Sequence, residues 1–101
     1  MDLSSLLGRF RSRLEQDIRV ERIILFGSRA TGTGHQDSDL DLIIVSPDFQ
    51  DMDYFERATM MHDHWDSVLP VDFLCYTPTE FRPLSNQATI VREALRTGIE
   101  A

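Results

Sequence analysis

Three short apolar runs constrain this chain more than any other feature: Arg22–Phe26, residues 39–45 and Val71–Tyr76. Each reads as a strand, the first ending at the tight turn of Gly27 and the second closed by Pro47. Residues 39–45 read Asp-Leu-Asp-Leu-Ile-Ile-Val and begin as strict alternation. That places Asp39 and Asp41 on one face of a strand and Leu40, Leu42 and Ile44 on the other.

The segments around these runs have helical periodicity. Leu3, Leu6, Leu7, Phe10, Leu14 and Ile18 form an apolar stripe with Arg9, Arg11, Arg13 and Glu15 off it, which predicts an amphipathic first helix. A second helix is expected from Asp53, where Glu56 suits a capping box, with Phe55, Ala58, His62, Trp65 and Leu69 on its inner side and Pro70 as its stop. Thr77-Pro78-Thr79-Glu80 opens a last helix with Phe81, Leu84, Ala88, Val91 and Leu95 on one side and Gly98 as its end. Helix, strand, strand, helix, strand, helix predicts an α/β (α+β) fold in which a small mixed β-sheet packs with about four helices. At 101 residues and 42% hydrophobic content, one domain over residues 1–101 is expected.

Composition removes several functions. The net charge of −7 repels a nucleic-acid backbone, so direct DNA binding is not expected. The ten basic residues are all Arg, which excludes a phosphate-loop lysine or a lysine Schiff base. Cys75 lies in an apolar run, without a second Cys for an intrachain disulfide, and reads as a small buried hydrophobe. There is no leader-like apolar segment and no run long enough to span a bilayer. A cytoplasmic protein away from membranes is the expectation.

The chemistry concentrates between Gly27 and Leu42. Gly27-Ser28 is followed, ten residues on, by Asp39-Leu40-Asp41. Gly27 lets the chain turn off its strand, the Ser28 hydroxyl and nearby amides can face a phosphate, and Arg29 is a natural charge partner for it. Asp39 and Asp41 can share oxygen ligands around a hard cation, with Asp72 joining from a neighbouring strand. Three crowded carboxylates repel one another unless a divalent ion neutralises them, and Mg²⁺ suits such donors. Metal, triphosphate grip and a carboxylate beside an incoming hydroxyl are the parts phosphoryl-type transfer needs. His62, Asp63, His64 and Asp66 form a less convincing group, because His62 and His64 diverge on a helix and only His62 and Asp66 share a face. His35 reads as an ordinary loop residue.

These residues resemble the nucleotidyltransferases of the DNA polymerase beta superfamily, and within it the stand-alone minimal nucleotidyltransferases. The resemblance spans most of the chain, through Gly27-Ser28, Asp39, Asp41 and Asp72 in Val71-Asp72-Phe73-Leu74. It implies that Ser28 and nearby amides contact the triphosphate of ATP or another NTP. Asp39 and Asp41 would bind two Mg²⁺ ions, and Asp72 would ligate the catalytic one and help deprotonate the acceptor. Many relatives read Gly-Ser-x-Ala-Arg-Gly, whereas Thr31 stands here before Gly32. The resemblance further implies a HEPN-domain toxin as partner, with AMP added to a toxin tyrosine and the chain acting as antitoxin. The larger relatives' acceptor-gripping domain is missing, so the acceptor site is expected from a partner. The alternatives are a non-catalytic antitoxin that neutralises its partner by binding, and an enzyme acting on a small hydroxylated molecule.

Overall fold

The computed structural model describes residues 3–27, 39–87 and 89–101. Among them lie four α-helices, a short 3₁₀ turn and a four-stranded mixed sheet, the small α/β architecture expected, with one helix and one strand beyond those the periodicities mark. Helix α1 spans Leu3–Glu15 and buries Leu6, Leu7, Phe10 and Leu14, the expected stripe, with Ile18 buried just beyond it. Strand β1 is Arg22–Phe26 and β2 is Leu40–Val45, so Asp39 sits one residue ahead of the strand. Ser46 caps the 3₁₀ turn Pro47–Phe49. Helix α2 spans Tyr54–His64, strand β3 Val71–Tyr76, helices α3 and α4 Pro78–Ser85 and Ile90–Thr97, and strand β4 Ile99–Glu100.

The sheet order is β3-β2-β1-β4. β1 runs antiparallel to both β2 and β4, while β2 and β3 are parallel, joined by the crossover that contains α2. Alternation along the two central strands divides the core. Leu25, Leu42, Ile44, Phe73 and Cys75 pack toward α1 and Met61 of α2. Ile24, Phe26, Ile43 and Val45 pack toward Phe81, Val91 and Ala94 of α3 and α4. A sheet covered on both faces needs the nearly continuous apolar runs seen in β1 and β2.

Both predicted capping boxes form. Asp53 and Glu56 satisfy each other's backbone at the start of α2, and Thr77 and Glu80 do so at α3 with Pro78 in the first turn. Other expectations are corrected. Helix α2 stops at His64, and its buried positions are Arg57 and Met61, whereas Phe55 is 78% exposed and His62, also exposed, sets its ring edge-on against Phe73. Trp65 and Leu69 do pack on the core, but from the segment after the helix. Arg57 takes the inner face because its guanidinium donates to the Phe49, Met52 and Cys75 carbonyls and to Glu80. The last predicted helix is two helices, because Asn86 caps α3 and Thr89 starts α4 by accepting the Arg92 N–H. Ala88 lies outside the described residues. Gly98 does end α4, and β4 follows it at once, a strand too short for its sequence to announce. A Cβ on Gly98 would fall 2.8 Å from the Leu25 carbonyl oxygen, so glycine lets the chain pass close against β1. No helix among the described residues is long and apolar enough to cross a membrane.

Candidate active site

The parallel register pairs Asp41 of β2 with Asp72 of β3, and the antiparallel register pairs Asp41 with Phe26 of β1. Since neighbouring strands lie about 4.8 Å apart and paired residues point the same way, the two carboxylates stand side by side on the face that carries Ile24, Phe26 and Ile43. Asp39, two positions earlier, shares that face at the strand's entrance. Asp39 and Asp72 are exposed and Asp41 is half-buried. The Asp41 carboxyl is held above the ordinary carboxylate range by burial first, then by the charges of Asp72 and Asp39. Asp41 thus lies within electrostatic reach of both Asp72 and Asp39.

Gly27 completes the wall. Its φ of +80° lies in the left-handed region, and an added Cβ would stand 2.5 Å from Asp41 Oδ2. The turn off β1 therefore rests directly against the Asp41 carboxylate, which only glycine permits. Ser28 and Arg29, together with Thr31 and His35, lie outside the described residues.

A cleft of about 650 Å³ opens over Asp41 and Asp72. Helix α4 contributes Ile90, Glu93 and Thr97 to it, and helix α2 contributes Tyr54, Ala58 and His62. Sequence reasoning missed these, having put Ala58 and His62 on a core stripe. Their signal was the spacing of four from Tyr54 to Ala58 to His62, one face of a helix. Among the described residues no group of three or more His, Cys, Asp or Glu side chains is gathered closely enough to ligate a metal. Asp39, Asp41 and Asp72 thus form a loose set of like charges. Their all-oxygen donor chemistry and the raised Asp41 carboxyl fit a hard divalent cation, which would relieve the repulsion.

The His-rich segment of α2 has other partners. His64 Nε2 lies 2.6 Å from Asp17 Oδ2, and Asp66 accepts from Arg9 at 2.9 Å. Both contacts tie α2 and the turn after it to the α1 region. Cys75 is buried with its thiol pushed up to about 12, so it packs as a hydrophobe and supplies no thiolate.

A small mixed sheet packed between helices, with Asp41 and Asp72 paired across its parallel strands, agrees with the nucleotidyltransferase type of α/β fold. The family model described as nucleotidyltransferase domain matches residues 4–96, and the chain belongs to that family. No curated protein matches the chain. Among solved structures, it is similar to a candidate nucleotidyltransferase from Sulfolobus solfataricus, 19% identical, covering 97% of this chain and 83% of that one with a TM-score of 0.56. A toxin-antitoxin structure with AMP-PNP is 24% identical over 92% of this chain and 69% of that one, with a TM-score of 0.57. The BolA domain of SufE1 from Arabidopsis thaliana is 21% identical over 79% and 99%, with a TM-score of 0.56. These likenesses show a shared fold, and the BolA domain illustrates that the layered shape alone does not fix an activity.

Proposed function

We propose that the chain is a Mg²⁺-dependent nucleotidyltransferase that moves AMP from ATP to a hydroxyl of a partner protein, a HEPN-domain toxin that it thereby silences. The observation that carries this reading is the register pairing of Asp41 with Asp72, with Asp39 on the same face, inside a nucleotidyltransferase-family domain. Asp39, Asp41 and Asp72 would hold the metal, which when bound neutralises the carboxylates and stabilises the charge on the reacting phosphate oxygens. Gly27 keeps the Asp41 carboxylate in place by contact, and Ser28 with Arg29 would grip the triphosphate. Asp72, exposed at the outer strand, would orient the acceptor hydroxyl and take its proton as oxygen attacks the α-phosphorus and pyrophosphate leaves. A toxin-antitoxin assembly with AMP-PNP among the fold's likenesses supports an adenine nucleotide and a toxin as partner, while the HEPN type of that toxin rests on the family resemblance.

The test combines the purified chain with its partner and Mg-ATP, reading pyrophosphate release and an added AMP mass on the partner. Asp41→Asn and Asp72→Asn are each expected to cut turnover at least about a hundredfold. Turnover equal to wild type in both variants would refute the catalytic reading. A second reading, neutralisation by binding alone, draws on the looseness of the three-acid set. It requires an Asp39→Asn, Asp41→Asn double variant to rescue growth as well as wild type does.

A further inference from the structure

The outer edge of β3 borders the carboxylates of Asp41 and Asp72. In the β2–β3 pair the Leu40 N–H donates to the Pro70 carbonyl and the Ser46 N–H to the Tyr76 carbonyl, both at 3.0 Å. With the register Leu40↔Val71 through Val45↔Tyr76, these bonds fix the alternation. Asp72, Leu74 and Tyr76 turn their backbone groups toward β2, and Val71, Phe73 and Cys75 turn theirs outward. The Cys75 carbonyl confirms it by accepting from Arg57 Nη1 at 3.1 Å on the outer side.

β3 ends the sheet order, so no strand pairs with that side among the described residues. Among the described residues no hydrogen bond there engages the Phe73 N–H, the Phe73 carbonyl or the Cys75 N–H. Edges are ordinarily blunted by charge, proline or a covering segment. Here Arg57 blocks one end and Pro70 precedes the other, leaving a window beside Asp72. The cleft follows this edge, since residues 71–74 line it consecutively and Tyr54, Ala58 and His62 run along its outer side. Its described lining carries Asp41, Asp72 and Glu93 with no Arg or Lys, in a chain of net charge −7.

We propose that an extended, basic segment of the acceptor protein adds to β3 as a further strand, pairing with Phe73 and Cys75 and setting a hydroxyl side chain beside Asp72. Main-chain bonds supply affinity without demanding a sequence, and the acidic cleft selects for charge. Cross-strand neighbours have Cβ atoms about 5 Å apart, so the residue opposite Asp72 on the same face brings its side chain to that carboxylate. The inference deepens the nucleotidyl-transfer reading and rests on it for the identity of the acceptor; the strand pairing itself is separable.

The experiment follows amide hydrogen exchange by NMR in the full chain, without nucleotide or metal, on adding a synthetic peptide of alternating Arg and Val with a central Tyr. The Phe73 and Cys75 amides are expected to exchange about tenfold more slowly at saturation, with the β4 edge unchanged. A peptide of equal charge with Pro at each Val position is expected to give no such protection, since Pro cannot donate to a ladder. No slowing at Phe73 and Cys75, or equal slowing by the Pro peptide, overturns the proposal. Slowing that grows with protein concentration and needs no peptide assigns the edge to a second copy and overturns it as well. Because the measurement involves no catalysis, its failure leaves nucleotidyl transfer standing, and absent pyrophosphate release leaves the pairing standing.

Discussion

Asp41 and Asp72 are direct register partners across the parallel β2–β3 pair, so two carboxylates share one stretch of sheet face without a cation of the protein's own between them among the described residues. The arrangement works against the fold's stability. Burial and the charges of Asp72 and Asp39 raise the Asp41 carboxyl above its ordinary 3.8. A raised carboxyl binds its proton more tightly in the folded state, so stability falls as pH rises from 3.8 through the folded value and the penalty persists at neutral pH. Asp41→Asn is therefore expected to raise Tm at pH 7 in metal-free buffer, with the gain shrinking toward zero below pH 3.8. Added Mg²⁺ should raise the Tm of the wild type and barely move that of the variant, by linkage to binding. Scanning calorimetry at the two pH values, with and without Mg²⁺, checks both; a lower Tm for the variant at pH 7 contradicts the account.

Gly27 carries a different strain. Placing a side chain at φ +80° costs about 1–2 kcal/mol in backbone terms, and the new Cβ would collide with Asp41 Oδ2. Gly27→Ala is expected to lower the urea unfolding midpoint by about that energy and to displace the carboxylate. Combined with Asp41→Ala, which removes the clashing atoms, it should cost less than the two changes summed. A double-mutant cycle measures that coupling, and strict additivity would show that the contact carries nothing.

His64 gives the chain a pH dependence on the alkaline side. Its Nδ1 meets the Met60 carbonyl at 2.8 Å and its Nε2 meets Asp17. The Met60 bond first, then the Asp17 carboxylate, hold the imidazolium above its usual 6.5 against the opposing effect of burial. A raised His stabilises the fold fully below pH 6.5, and that contribution disappears as pH rises through the folded value. Urea midpoints recorded from pH 6 to 9 are expected to decline in the wild type and to stay flatter in His64→Gln. Parallel curves for the two proteins would assign the decline to another group.

The site and the sheet were legible in the sequence for one shared reason. Period-two alternation in Asp39-Leu40-Asp41-Leu42 fixes the faces, and face is what brings Asp39 and Asp41 together. Asp72 needed only a second strand in register, which the apolar run at Val71 announced. The phase of α2 was not legible, because apolarity assigned Phe55 to the core and nothing in the sequence marked Arg57 as an inward residue. What turns Arg57 inward is a set of acceptors from Phe49, Met52, Cys75 and Glu80, remote from one another in sequence. β4 was hidden for a related reason, since two residues carry no period and Ile99–Glu100 is a strand only because β1 offers an edge. The roles expected of Ser28 and Arg29 fall outside the described residues.

Arg57 and Glu80 set the last expectation. Arg57 Nη1 donates to Glu80 Oε1 at 2.7 Å and Nη2 to Oε2 at 3.2 Å, while Glu80 Oε1 also accepts the Thr77 N–H at 2.9 Å. One carboxylate thus caps α3 and holds the guanidinium that covers the Cys75 end of the β3 edge. Arg57→Met leaves three carbonyls and the carboxylate without their donor, and is expected to cost about 3 kcal/mol, or roughly 10–25 °C in Tm. Glu80→Gln keeps an acceptor for the cap and gives up only a half-exposed ion pair, so about 1 kcal/mol or less is expected. The Arg57 hydrogen bond is the chief cause holding the Glu80 carboxyl below its ordinary 4.5. A lowered carboxyl stabilises the fold above pH 4.5, and the contribution is lost as pH falls through the folded value. Glu80→Gln and wild type should therefore differ in urea midpoint at pH 7 and converge in strong acid. A difference unchanged down to pH 3 would mean that the cap, and not the ion pair, is what Glu80 contributes.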